Sequence, residues 1–260
     1  MSRASIFSIV AVTILLFAFQ WNKRQRNVMW VIPDDIETPA PLIIALHPHG
    51  VAGGMFAQMS GLKPLAKRDG VVIAFPSAYI YEWNDGAYSR RHEEDDTRVI
   101  LDIIEEAQEK ADIDLSRVYL VGYSNGAMMA LRAASEAPET FAGVASISGT
   151  MIRRFTEKPT TPLDVLIVHG TDDRTIKMTG GIEYMSTQQI AQYWAKVADC
   201  DDSVFDEPMN FSDRLSIITT ENCEHIIESV VIQGMGHNWS DNVYNTPERI
   251  WEFFGLRRQD

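Results

Sequence analysis

Leu120-Val121-Gly122-Tyr123-Ser124-Asn125-Gly126 runs straight into Ala127-Met128-Met129-Ala130-Leu131. An apolar run ends in a serine set between glycines and then becomes helix-forming, which reads as strand, sharp turn and helix start with Ser124 at the apex. In a G-x-S-x-G turn, small flanking residues let a strained backbone hold the hydroxyl clear of a sheet and near a helix N-terminus. Glycines also make ordinary strand-to-helix turns, so the pentapeptide alone leaves Ser124 either a nucleophile or a turn residue. The choice depends on whether the rest of the chain supplies a base and an acid.

Outward from the turn, apolar runs recur at Val28–Ile32, Leu42–Leu46, Val71–Phe75, Arg117–Val121, Phe141–Ser148, Leu163–Val168 and Glu224–Ile232. A run with no polar alternation, such as Leu42–Leu46, fits a strand covered on both faces. Between these runs lie helical patterns. One covers about Met55 to Arg68. Another starts at Glu93-Glu94-Asp95-Asp96 and carries Val99, Ile103 and Ala107 on one stripe, with acidic residues suited to its first turn. A third, from Thr187, has Ile190, Tyr193, Trp194 and Val197 at helical spacing, and Pro247 opens a terminal helix. Strands alternating with helices predict an α/β fold with a mostly parallel, doubly wound sheet and helices on both faces. The long aromatic segment from Pro76 to His92 reads as a loop of functional length.

The chain has 260 residues, 45% of them hydrophobic and 23% charged, ordinary values for a globular protein with a substantial core. Its 23 basic and 36 acidic residues leave a net charge of −13, which excludes nucleic acid as an expected partner because phosphate binding needs a basic footprint. Residues 1–26 depart from this composition. Ala4 to Phe19 is almost wholly apolar, shorter than the ~20 residues that span a bilayer comfortably, and reads as a signal peptide or an N-terminal membrane anchor. The bulky Ala18-Phe19-Gln20-Trp21 suits cleavage poorly, and Lys23, Arg24 and Arg26 oppose export by the positive-inside rule. Cys200 and Cys223 would pair in an oxidising compartment and stay free thiols in the cytosol.

A serine hydroxyl is a poor nucleophile until an imidazole takes its proton, and that imidazole needs a carboxylate to fix its tautomer. Downstream of Ser124 the histidines are His169, His225 and His237. His225 begins a predicted strand and His169 ends one, and both read as structural. His237 lies in a glycine-rich loop after the final strand, where a base belongs. The loop His169-Gly170-Thr171-Asp172-Asp173-Arg174 offers adjacent carboxylates, one of them a turn residue. An oxyanion needs backbone N–H donors: one is expected from Asn125, the other from His49 or Val51, since Pro48 has no N–H. The His47-x-His49 spacing lacks a third ligand nearby, so no metal site and no cofactor are expected.

Seven ordered segments now carry a resemblance: LHPHG (46–50), EWNDG (82–86), EEDDTRVI (93–100), DLSRVYLVGYSNGAMMA (114–130), APETFAGVASISG (137–149), HGTDD (169–173) and GMGHNW (234–239). From Val28 to the C-terminus the chain resembles the extracellular polyhydroxybutyrate depolymerase and feruloyl esterase-like group of α/β hydrolases. The resemblance implies an α/β-hydrolase fold, a catalytic domain over 27–260, and a triad of Ser124, Asp173 and His237, the acid preferred over Asp172 by its register after the His-Gly pair. It also implies a disulfide between Cys200 and Cys223, hence an oxidising compartment and a secreted or periplasmic location, with anchoring to the membrane through the N-terminal segment as the alternative. The implied activity is that of a serine carboxylic ester hydrolase working through an acyl-enzyme on feruloyl or acetyl polysaccharide esters or short hydroxyalkanoate esters. A serine peptidase on the same scaffold and a non-catalytic anchored binding module are the alternatives. Departures from the group are Pro48 after His47, Ala127 in place of a second glycine, and Ser240 where a proline often follows. A separate polymer-binding domain is not expected within these 260 residues. Trp83 and Trp239 are candidates for lining the acyl or aromatic pocket, or else core and support for the histidine loop.

Overall fold

The run Leu42–Leu46 forms most of a central strand, β2 (Ala40–Leu46), every residue of which is buried. Its side chains alternate between two apolar layers, Leu42, Ile44 and Leu46 on one side and Ile43 and Ala45 on the other. This is why the run shows no polar alternation: neither face of the sheet meets water. The computed structural model describes residues 26–87, 94–157, 161–240 and 242–256. The leader or anchor expected over residues 1–26 falls outside these apart from Arg26, whose guanidinium lies 3.2 Å from Glu94 and 3.5 Å from Asp96.

Among the described residues, eight strands form one sheet in the order β1-β3-β2-β4-β5-β6-β8-β7. These are β1 (Val28–Val31), β2, β3 (Val72–Pro76), β4 (Ile113–Tyr123), β5 (Gly143–Ile147), β6 (Asp164–Gly170), β7 (Leu215–Thr219) and β8 (Ile227–Ile232). The inner pairings are parallel, and β1 and β7 close the two edges antiparallel to β3 and β8. The helices are α1 (Gly53–Met59), α2 (Leu62–Asp69), α3 (Asp96–Lys110), α4 (Asn125–Glu136), α5 (Thr187–Val197) and α6 (Thr246–Phe253). Val99 and Ile103 of α3, Met129 and Leu131 of α4, and Ile190 and Trp194 of α5 fill one layer. Phe56 of α1, Leu62 and Leu65 of α2, and Ile250 and Trp251 of α6 fill the other, so helices cover both faces as the alternation predicts.

The structure corrects the sequence reading in two places. The helix expected over about Met55 to Arg68 is broken, because Gly61 adopts φ 75° and separates α1 from α2. The strand β7 lies where no apolar run marks one in the sequence. At the start of α3, Glu93 lies outside the described residues, and the Asp95 side chain caps the helix by accepting from the Arg98 amide. The Cys200–Cys223 disulfide is formed and ties the end of α5 to the approach to β8.

Candidate active site

Strand β4 ends at Tyr123, and Ser124 follows with φ 57° and ψ −121°, a conformation that costs a residue with a Cβ on the order of 1–3 kcal/mol. Its neighbours make the turn possible. A Cβ on Gly122 would come within 2.3 Å of the Gly126 carbonyl oxygen, and one on Gly126 within 2.2 Å of the Leu46 carbonyl oxygen. Only glycine at both positions lets α4 start against the end of β2. The Ser124 amide donates to the Ile147 carbonyl at 2.9 Å, which fixes the turn to β5.

The loops after β6 and β8 bring the other groups to this point. The Ser124 hydroxyl lies 2.8 Å from His237 Nε2, and His237 Nδ1 lies 2.7 Å from Asp173 Oδ2. The other carboxylate oxygen of Asp173, Oδ1, accepts the Thr175 amide at 2.9 Å and the Ile176 amide at 2.8 Å. His169 joins them: its Nε2 donates to the Ile176 carbonyl at 2.7 Å and stands 3.3 Å from Asp173 Oδ2. Burial on its own raises the Asp173 pKa. The hydrogen bonds from His169, His237 and the Ile176 amide outweigh it and hold the carboxyl well below the usual carboxylate range. Asp172 instead is exposed, its Oδ1 accepting from the Thr171 hydroxyl. The His237 ring stacks on Tyr123 with centroids 5.5 Å apart, and the Tyr123 hydroxyl donates to the His237 carbonyl at 2.9 Å.

The loop after β2 is braced just as closely. The His47 ring is fully buried, its Nδ1 donating to the Pro48 carbonyl at 2.8 Å and its Nε2 accepting the Ala78 amide at 2.9 Å. Burial lowers its pKa to about 4, and with both ring nitrogens engaged His47 is a neutral strut. Val51 spends its amide on the Pro48 carbonyl at 3.3 Å and Gly50 on the Tyr81 carbonyl at 2.8 Å. No acceptor among the described residues takes the amides of His49 and Asn125, and both residues line the cleft with Ser124. The Asn125 side chain meanwhile accepts the Trp83 amide at 2.7 Å and donates to the Trp83 carbonyl at 3.1 Å and to Asp85 at 2.9 Å.

Neither tryptophan named as a pocket candidate lines the cleft, which corrects that expectation. Trp83 is fully buried, and its indole N–H donates to the His47 carbonyl at 3.0 Å. Trp239 is 8% exposed; it donates to the Ser60 carbonyl at 2.9 Å and packs edge-on against Phe56. Both use an apolar ring to fill core space and a polar edge to hold a carbonyl, so no face is left for a ligand. The cleft itself is about 410 Å³, and Met128, Thr150, Arg174, Lys177 and Tyr184 also border it.

A hydroxyl, an imidazole and a carboxylate in hydrogen-bonded series at the C-terminal ends of a doubly wound parallel sheet define an α/β hydrolase. Within that class the chain belongs to the phospholipase/carboxylesterase family, whose pattern matches residues 80–218, more than half its length. A Nocardia uniformis subsp. tsuyamanensis protein named as an esterase, NocK, is 34% identical over 137 residues, covering 51% of this chain and 40% of the relative. Feruloyl esterase B of Piromyces equi is 25% identical over 221 residues, covering 78% of this chain and 40% of the relative. The chain thus spans about two-fifths of the length of these curated relatives. Among solved structures, an acetyl xylan esterase from Aspergillus awamori superposes with TM-score 0.66 at 18% identity over 88% of this chain and 93% of that one, a likeness of fold.

Proposed function

We propose that this chain is a serine carboxylic ester hydrolase that works through an acyl-enzyme. The observation that carries the reading is the unbroken series Ser124 Oγ, His237, Asp173 with links of 2.8 and 2.7 Å, opening on a cleft. His237 Nε2 takes the Ser124 proton as Oγ attacks the ester carbonyl, and Asp173 stabilises the imidazolium through Nδ1–H. The amides of Asn125 and His49 receive the oxyanion. The imidazolium then protonates the leaving alcohol, and water, activated by the same imidazole, releases the acid and restores Ser124. Names among the relatives support acetyl or feruloyl esters of polysaccharides as the substrate class, and polyhydroxyalkanoate depolymerase likeness supports short hydroxyalkanoate esters. The disulfide supports a secreted or periplasmic location. Hydrolysis of p-nitrophenyl acetate and butyrate tests the activity: turnover is expected from the wild type, and a rate no greater than that of Ser124→Ala would reject it.

A further inference from the structure

The chain carries 36 acidic and 23 basic residues, so a basic side chain finds a carboxylate easily. Five of the ten described arginines do: Arg26, Arg68, Arg98, Arg132 and Arg249 all stand in ion pairs. What sets Arg174 and Lys177 apart is their place. Neither has a carboxylate within ion-pair distance among the described residues, and both border the cleft that holds Ser124. Among the described residues no acidic side chain borders that cleft. Of the nearby carboxylates, Asp173 is buried and committed to His237. Glu82 is buried 4.0 Å from His49 Nε2. Asp172 faces an adjoining depression that Arg174 and Lys177 also reach.

The backbone that carries the two cations is held firmly. Asp173 accepts the amides of Thr175 and Ile176, His169 holds the Ile176 carbonyl, and the Gly180 amide donates to the Lys177 carbonyl at 2.9 Å. The turn that seats the carboxylate behind His237 therefore also presents Arg174 and Lys177 to the cleft wall. Cations kept unpaired in a cleft, on a protein of net charge −13, attract an anion there and leave the rest of the surface repelling it.

The geometry points to an anion subsite made by Arg174 and Lys177, so that the preferred ester bears a carboxylate close to its scissile bond. The inference rests on the ester-hydrolase reading and narrows its substrate. Such a carboxylate has two sources, the far end of a dicarboxylic half-ester, on the acyl side, or the free acid end of a short hydroxyalkanoate ester or a uronic acid residue, on the alcohol side. A guanidinium binds either in a bidentate manner.

The test uses the full chain and reads ratios of kcat/KM within each protein, which cancel differences in active fraction. One arm compares mono-p-nitrophenyl glutarate with p-nitrophenyl valerate, and the other compares acetylated glucuronic acid with acetylated glucose. A preference of at least fivefold for the charged ester in one arm is expected and identifies the side on which the anion sits. In Arg174→Gln/Lys177→Gln that preference falls to near unity through KM. Arg174→Lys retains part of it, Arg174→Glu reverses it, and 0.5 M NaCl reduces it in the wild type. Equal rates for charged and neutral esters in both arms, or a preference that survives the double substitution, overturns the subsite. Calorimetric titration of Ser124→Ala with monomethyl glutarate separates the two proposals. If no ester is turned over but this anion binds and the double substitution abolishes binding, the hydrolase reading fails and the subsite stands. Turnover of neutral esters without binding or preference gives the converse.

Discussion

Replacing Asp173 with asparagine changes a single atom, and the surrounding donors dictate how the new side chain sits. The Oδ1 position faces the Thr175 and Ile176 amides at 2.9 and 2.8 Å, both donors. An NH₂ group there would lose both hydrogen bonds, so the amide oxygen takes that place and the NH₂ takes the place of Oδ2. It then lies about where Oδ2 was, 2.7 Å from His237 Nδ1, and donates to it. His237 is forced to carry its proton on Nε2, the nitrogen 2.8 Å from the Ser124 hydroxyl, and cannot accept that hydroxyl's proton. Wrong-tautomer substitutions of this kind cost about 10³–10⁴ in kcat, or ~4–5.5 kcal/mol. Asp173→Ala puts no donor against Nδ1 and is expected to retain more activity than Asp173→Asn despite being the larger truncation. Steady-state hydrolysis of p-nitrophenyl acetate, thermal unfolding and the ¹⁵N shifts of the His237 ring check the three parts. An asparagine variant that melts normally, shows the Nε2-protonated ring and keeps more than a tenth of wild-type kcat would refute the reasoning.

Gly126→Ala places a Cβ 2.2 Å from the Leu46 carbonyl oxygen and 2.6 Å from that of His47, both backbone, so α4 must retreat from β2. A stability loss of about 1–3 kcal/mol and a kcat loss on the order of 10²-fold follow, and equilibrium unfolding with esterase assay reads both. Because burial lowers the His47 pKa to about 4, the folded state binds fewer protons than the unfolded one between about pH 4 and 6.5. Stability therefore rises with pH across that window and is lost on acidification, by up to about 3 kcal/mol from this group. Urea unfolding from pH 4.5 to 7.5 should show a flatter slope for His47→Gln, and parallel slopes would reject the assignment. Opening the Cys200–Cys223 bond, which spans a sequence separation of 23, should cost about 3 kcal/mol in the chain-entropy account and lower Tm by about 6–12 °C in reductant. Trp83→Phe removes the only N–H that the indole offers the His47 carbonyl, and kcat is expected to fall by about tenfold with KM little changed; an unchanged kcat would show that this brace is dispensable.

The inner strands were legible because burial on both faces removes polar residues, and each apolar run lies on or within three residues of an observed strand. Strand β7 was not, because it is an edge strand with Ile217 exposed and Ser216 buried, which leaves no clean alternation to read. The order Ser124, Asp173, His237 could be read in the chain because each lies just past a strand end. The company kept by Asp173 could not be read as directly: His169 reads as structural from its place at a strand end, and it also lies 3.3 Å from the carboxylate. The i, i+4 spacing across the Gly170 turn was the available signal. Trp83 and Trp239 show the limit from the other side. An indole beneath a catalytic loop and an indole facing a ligand have the same chemistry in one dimension, and only their burial, 0% and 8% exposed, tells them apart. Likewise Asn125 was legible through its backbone position, while its side-chain bonds to Trp83 and Asp85 depend on a loop some 40 residues away.

These contacts also account for Pro48, the departure that made the second oxyanion donor uncertain from sequence. Proline has no N–H to offer, but its carbonyl takes hydrogen bonds from His47 Nδ1 at 2.8 Å and from the Val51 amide at 3.3 Å. That use of Pro48 ties up the Val51 amide, while the amide of His49, a residue that lines the cleft, has no acceptor among the described residues. Trp83 then joins the two proposed donors into one unit. Its indole N–H holds the His47 carbonyl, two residues before His49, while its backbone N–H and C=O clamp the Asn125 side chain. A buried loop residue outside the cleft thus braces both of the segments that carry these amides, the loop after β2 and the start of α4. A rigid proline in the β2 loop is compatible with that spacing, because the loop is positioned by what its carbonyls accept and needs no flexible glycine at this point.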